Sequence, residues 1–171
     1  ILSEKSVCIQ RNKGIGASIY EWIFLCDDDI EIPQDYLTKL TGHIEQYPQI
    51  GAVSGLWMQQ EKGKWVCSYP MKSSSKLFWY FTFQFPMWGE IKCNTKNIFI
   101  KKITQFYANK RNHIAKSGWP VLTNFSSEYF TPPVYSLGAC LVKKEWLIDS
   151  PFDEVLDRYG IGDNYGVIAG F

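Results

Sequence analysis

The stretch Trp22-Ile23-Phe24-Leu25-Cys26-Asp27-Asp28-Asp29 decides how this chain is read. Five apolar residues ended abruptly by charge suit a buried strand of a parallel sheet. A helix start follows, because Pro33 suits a first helical position and Asp35 complements the dipole of a first turn. The spacing of Tyr36, Leu37, Leu40 and Ile44 predicts an apolar stripe running to about Gln46, stopped before Pro48. Residues 50–57 (IGAVSGLW) read as the next strand. Strand, helix, strand is a βαβ unit, and the fold class is α/β.

Three consecutive carboxylates at the tip of a buried strand repel one another. A hard divalent cation, Mn²⁺ or Mg²⁺, relieves the repulsion, because both prefer oxygen ligands. In an extended segment Asp27 and Asp29 would project to one side and Asp28 to the other. Asp27 and Asp29 are therefore candidate metal ligands. In open α/β sheets, ligands gather outside the carboxyl ends of the strands, where this triplet lies. The plainer alternative is a solvated acidic turn that caps the next helix.

Working outward, residues 6–19 read as a helix carrying Val7, Ile9 and Ile15, weakened by Gly14 and Gly16. Residues 134–142 (VYSLGACLV) resume a strand pattern, and 143–149 form a helical turn. The middle, about 58–133, is less regular. Residues 77–88 (LFWYFTFQFPMW) hold seven aromatics in twelve positions. They could be core, a ligand-binding wall or a membrane-interface contact, since aromatic rings serve all three. Ile91 to Ser127 contains seven Lys/Arg and no acid. That suits an anionic lipid surface or a lipid diphosphate, and equally a solvated face. Within it, residues 116–120 (KSGWP) read as a loop, with Trp119 either exposed to stack on a ligand or buried. His43 and His113 have no partner at metal-ligand spacing.

Composition bounds the rest. The 171 residues are 46% hydrophobic and 20% charged, which excludes wholesale disorder. The net charge is +1, which argues against a dedicated nucleic-acid binder. No segment reaches the roughly 18 apolar residues needed to span a bilayer. Charge, not an apolar run, follows Ile1, so no signal peptide is expected. The five cysteines form no C-x-x-C pair and read as free, mostly buried thiols of a reducing compartment. The expected location is cytoplasmic, in contact with the inner face of the membrane.

Several segments together resemble a known family. Arg11-Asn12-Lys13-Gly14-Ile15, followed by Glu21-Trp22-Ile23-Phe24-Leu25-Cys26-Asp27-Asp28-Asp29-Ile30, resembles the R-N-x-G-[IL] and [ED]-[YW]-[IL]-x-[FL]-L-D-x-D motifs of inverting family 2 glycosyltransferases. Gly138-Ala139-Cys140-Leu141-Val142 with Lys143-Lys144-Glu145 is similar to the family's G-A-x-[ML]-x-x-[RK]-[RK]-E segment. Phe152-Asp153-Glu154 is similar to its F-D-E, and Gly162-Asp163-Asn164 lies where G-E-D is expected.

The resemblance implies a GT-A fold, a Rossmann-like sheet that binds a nucleoside diphosphate sugar and a divalent metal. It places the metal on Asp27 and Asp29, in line with the carboxylate argument. It places Arg11 and Asp28 on the donor side and Gly138 and Ala139 along the donor sugar pocket. The family's base position is occupied by Asn164, so Asp163 is the expected catalytic base. Asn164 and Trp119 are expected on the acceptor side, with a glycan or lipid-linked acceptor. Residues 1–57 would form the metal and donor half, 58–133 the acceptor-side region, and 134–171 the sugar-pocket and base segment. The family's opening strands precede the R-N-x-G helix, and only ten residues precede Arg11. The fold is therefore expected to be incomplete at the N-terminus, and the chain a fragment. Two rivals stay open: a non-catalytic carbohydrate- or lipid-binding module of the same fold, and a metal-dependent phosphoryl-transfer enzyme or hydrolase.

Overall fold

Short polar side chains start three of the helices, and the chain between them follows the apolar pattern. Described are residues 6–67, 69–125, 129–134 and 138–156 of a computed structural model. The chain divides into two compact units, residues 1–55 with 134–171, and residues 56–133.

In the first unit, helix α1 (Val7–Ala17) begins at Ser6, whose hydroxyl accepts from the Ile9 N–H. Cys8 and Ile15 are its buried residues. Val7 is exposed, so the buried stripe is offset from the one expected. Strand β1 (Trp22–Cys26) follows, then helix α2 (Tyr36–Gln46), strand β2 (Ala52–Ser54), strand β8 (Ala139–Lys143) and helix α5 (Lys144–Asp149). Helix α2 starts three residues later than Pro33. Pro33 instead closes a turn, its carbonyl accepting from the Tyr36 N–H. Of the expected α2 stripe, Leu40 is buried and Leu37 is exposed.

The sheet order is β1-β8-β2, and β8 is antiparallel to both neighbours. β1 and β2 therefore run the same way, as a βαβ unit requires, but an antiparallel strand lies between them. The expectation that β1 is a buried parallel strand is corrected on both counts. Its hydrogen-bonded partner is antiparallel, and its residues are half-buried, with Cys26 exposed. In this sheet, among the described residues, the buried strand is β8, which has a neighbour on each side. Its Cys140 and Val142 join Cys8, Ile15, Leu147 and Phe152 in one core.

The second unit is more regular than its sequence suggests. Strands β3 (Met58–Glu61) and β4 (Lys64–Cys67) form a hairpin whose two turn residues, Lys62 and Gly63, have φ of 50° and 75°. Two left-handed residues are what a two-residue hairpin turn demands. Helix α3 (Ser74–Phe83) takes in most of the aromatic run. It starts at Ser73, whose hydroxyl accepts from Lys76 N–H, and ends at Gln84 in the left-handed region, φ 56°. Helix α4 (Ile98–Asn109) starts at Asn97, whose side-chain oxygen accepts from the Phe99 and Ile100 N–H groups. Strands β5 (Met87–Trp88), β6 (His113–Ile114) and β7 (Pro120–Leu122) form a sheet with β7 central. Leu77, Met87, Ile100, Ile103, Tyr107 and Val121 make this unit's core.

Candidate functional site

The carboxyl end of β1 gathers three of the resemblance segments. Pairing with β8 ends where the Asp27 N–H donates to the Gly138 carbonyl at 2.7 Å. Beyond that bond the chain leaves the strand, and Asp28 and Asp29 occupy a turn. This corrects the expectation of an extended triplet with alternating side chains, because strand geometry stops at Cys26. Asp27 is half-buried, while Asp28 and Asp29 are exposed.

Helix α1 supplies the counter-charge. Arg11 Nη2 donates to Asp27 Oδ1 at 3.0 Å. The same guanidinium lies over the Phe152 ring, 5.0 Å from its centroid. Phe152 is itself core, so the arginine is held from below by packing and from one side by charge. Next along α1, the Asn12 side chain makes a reciprocal pair with Phe152. Its Nδ2 donates to the Phe152 carbonyl at 2.8 Å, and its Oδ1 accepts from the Phe152 N–H at 3.0 Å. Asn12 Nδ2 also reaches Glu154 Oε1 at 3.3 Å. The Arg-Asn pair of α1 thus ties together the Asp triplet and the Phe152-Asp153-Glu154 segment.

A second fastening comes from Tyr36. Its hydroxyl donates to the Ala139 carbonyl at 2.6 Å and accepts from the Gly55 N–H at 2.8 Å. One side chain at the start of α2 therefore joins the ends of β8 and β2. Burial pushes the Tyr36 phenol above its ordinary pKa, which keeps it in the donating form. Below the site, burial pushes the Cys140 thiol up to about 12, so it stays neutral packing material. At the far end of β1, Lys144 N–H donates to the Glu21 carbonyl and Lys144 Nζ to the Ser18 carbonyl.

Arg11, Asp27, Gly138 and Ala139 are thus brought together, with Asp28 and Asp29 on the adjoining turn. Trp119 lies in the second unit, half-exposed, in a loop where Gly118 has φ 86° and the Ala115 N–H donates to the Trp119 carbonyl. Asp163 and Asn164 lie outside the described residues. Asn12 and Tyr36 hold the site together, and the sequence reading gave neither a role there. Tyr36 carried one usable signal: a tyrosine on an apolar stripe needs a partner for its hydroxyl.

Among the described residues no group of three or more His, Cys, Asp or Glu side chains forms a metal cage. The donor set still fits a hard cation. Mg²⁺ is usually held by one or two carboxylates, with waters and substrate phosphates completing the shell. Asp27, whose Oδ1 accepts from Arg11, and Asp29, exposed on the turn, are carboxylates of the type such a cation takes. No helix among the described residues is long and apolar enough to cross a membrane.

The sequence model described as Glycosyl transferase family 2 matches residues 4–117. The match takes in Arg11, Asn12, the Asp triplet and Tyr36, and it ends before β8. No curated protein and no solved structure matches the chain.

Proposed function

Because the chain belongs to glycosyl transferase family 2, we propose that it transfers a sugar from a nucleoside diphosphate sugar to an acceptor hydroxyl, with inversion at the anomeric carbon. The observation that carries this reading is the meeting of Arg11, Asp27 and the Gly138 carbonyl beside an exposed Asp28-Asp29 turn. A basic group and oxygen donors at the end of a strand suit a diphosphate and its counter-ion.

Asp27 and Asp29 would hold Mn²⁺ or Mg²⁺. When bound, the cation supplies positive charge against the departing diphosphate. Arg11, already aimed at this end of β1, adds a second positive charge for the diphosphate oxygens. Asp28, Gly138 and Ala139 border the donor, and Tyr36 keeps the Ala139 backbone from shifting. Asp163 takes the proton of the acceptor hydroxyl as that oxygen bonds to the anomeric carbon and the bond to the diphosphate breaks. Asn164 and Trp119 contact the acceptor, which is a glycan or a lipid-linked saccharide of the kind used in polysaccharide assembly.

The test is release of nucleoside diphosphate from a panel of nucleotide sugars, with Mn²⁺ and candidate acceptors. Asp163→Asn should abolish release and leave donor binding intact. Asp29→Ala should weaken binding itself. Undiminished turnover in Asp163→Asn would place the base elsewhere. Undiminished donor binding in Asp29→Ala would remove the metal from this site.

A further inference from the structure

The second unit carries an aromatic surface to which the proposed function gives no role. On the outer face of α3, Trp79 and Phe83 stack with ring centroids 5.6 Å apart, and Phe83 continues to Phe85 at 5.7 Å. In the other direction Trp79 meets Phe78 at 5.2 Å, and Phe78 meets Phe99 of α4 at 6.0 Å. The ladder is continuous across both helices. Trp79, Phe83 and Phe99 are 51%, 57% and 55% exposed, while Phe78, the link between the helices, also packs against the core. Contiguous exposed apolar surface of this kind marks an interaction site.

Lysines are interleaved with the rings. Lys76 lies over the Tyr80 ring at 5.3 Å, and Lys110 over the Phe106 ring at 5.2 Å. Ile98, Lys102 and Phe106 follow one another at four-residue spacing along α4, so Lys102 shares their stripe. Residues 56–133 hold eleven Lys/Arg against three acids, Glu61, Glu90 and Glu128, a net of +8. Two of those acids are already paired, Glu61 with Lys72 at 2.9 Å and Glu90 with Lys92 at 2.8 Å.

We propose that the outer face of α3 and α4 docks on an anionic lipid bilayer. Charge complementarity selects this occupant. A second copy docked face to face would set one face of a +8 unit against another, and a dimer dissolved by Trp79→Ser is the outcome that would reveal any other pairing. An anionic polymer in solution would satisfy the lysines and leave the apolar rings in water. A bilayer surface satisfies both, with rings at the headgroup level and lysine stems lying along them with their ammonium groups toward anionic headgroups. The docking stands on observations independent of the sugar-transfer reading.

The experiment is vesicle flotation of the full chain, comparing phosphatidylglycerol-rich vesicles with pure phosphatidylcholine, at low and high salt. Flotation with the anionic vesicles, weakened by salt, is expected. Lys76→Glu/Lys102→Glu/Lys110→Glu should lower the vesicle affinity by about a hundredfold, given roughly fivefold for each basic residue near an anionic surface. Trp79→Ser/Phe83→Ser should also lower it, with folding checked by circular dichroism. Nucleotide-sugar binding in both variants should match the wild type, which separates failure of the docking from failure of the transferase reading. Three results would each overturn the proposal: equal association with neutral and anionic vesicles; full displacement by soluble polyphosphate with no preference for vesicles; and a dimer dissolved by Trp79→Ser with no flotation.

Discussion

The two units of this chain place charge and apolar surface in opposite ways. The first carries fourteen acids against seven Lys/Arg, a net of −7, and the second a net of +8. In the first, apolar side chains converge on the central strand β8, and polar groups gather at the end of its sheet, where Arg11, Asp27 and Gly138 meet. In the second, α3 buries Leu77 completely but turns Trp79 and Phe83 outward among lysines. Under the two proposals, carboxylates serve the donor end of β1 and lysines the outer face of α3 and α4. The overall net charge of +1 conceals both.

The largest effects should come from breaking one core at a time. Phe152→Ala empties the middle of the first core and removes the ring beneath Arg11, at a cost of about 3–5 kcal/mol. Leu77→Ala should cost about 2–5 kcal/mol in the second. Urea unfolding gives the totals, and hydrogen exchange locates them. Protection should fall in α1 and β8 for Phe152→Ala, and in α3 and α4 for Leu77→Ala. Equal loss everywhere would mean one cooperative core and would break the comparison.

A smaller effect is expected at Gly51. Any Cβ there would overlap the Trp146 ring, so Gly51→Ala should destabilise the first unit by about 1–3 kcal/mol through overpacking. Smaller again is Tyr36→Phe. It leaves the Gly55 N–H and the Ala139 carbonyl without their shared partner, a loss of about 1–2 kcal/mol in a thermal melt. A Tyr36→Phe protein as stable as wild type would show that the tyrosine does not fasten β2 to β8.

The mildest test uses pH. The Cys140 thiol is raised from 9.0 to about 12 in the fold, so the native state keeps a proton that the unfolded chain releases. Its contribution is intact below about pH 9 and is lost as pH rises toward 12. Tyr107, raised from 10.0 to about 12 by burial, acts likewise in the second unit, starting about one pH unit higher. Cys140→Ala should flatten the alkaline decline of the first unit's melting temperature and leave Tyr107's part in place.

Much of the first unit was legible because its signals are local. An apolar pentad, a carboxylate triplet and an amphipathic helix each declare themselves within a dozen residues. The antiparallel intrusion of β8 was not legible, since its partners lie more than eighty residues away in sequence. The same physical reason hid two residues of the site. Asn12 is fastened to Phe152 across 140 residues, and Tyr36 to Ala139 across 103. In the second unit the density of aromatic residues masked helical periodicity. The caps were the better signal: Ser73 and Asn97 each stand directly before a helix. The triplet itself was read correctly as a strand end and wrongly as strand geometry, because residue identity does not say at which residue pairing stops.

The most direct test of the donor site is calorimetry of nucleoside diphosphates binding to the full chain, with and without Mn²⁺, for wild type, Asp29→Ala and Arg11→Ala. Binding that needs Mn²⁺, disappears in Asp29→Ala and weakens in Arg11→Ala is the predicted result. Binding that is indifferent to Mn²⁺ and to both substitutions, or no binding by folded wild-type protein, would contradict a diphosphate site at the end of β1.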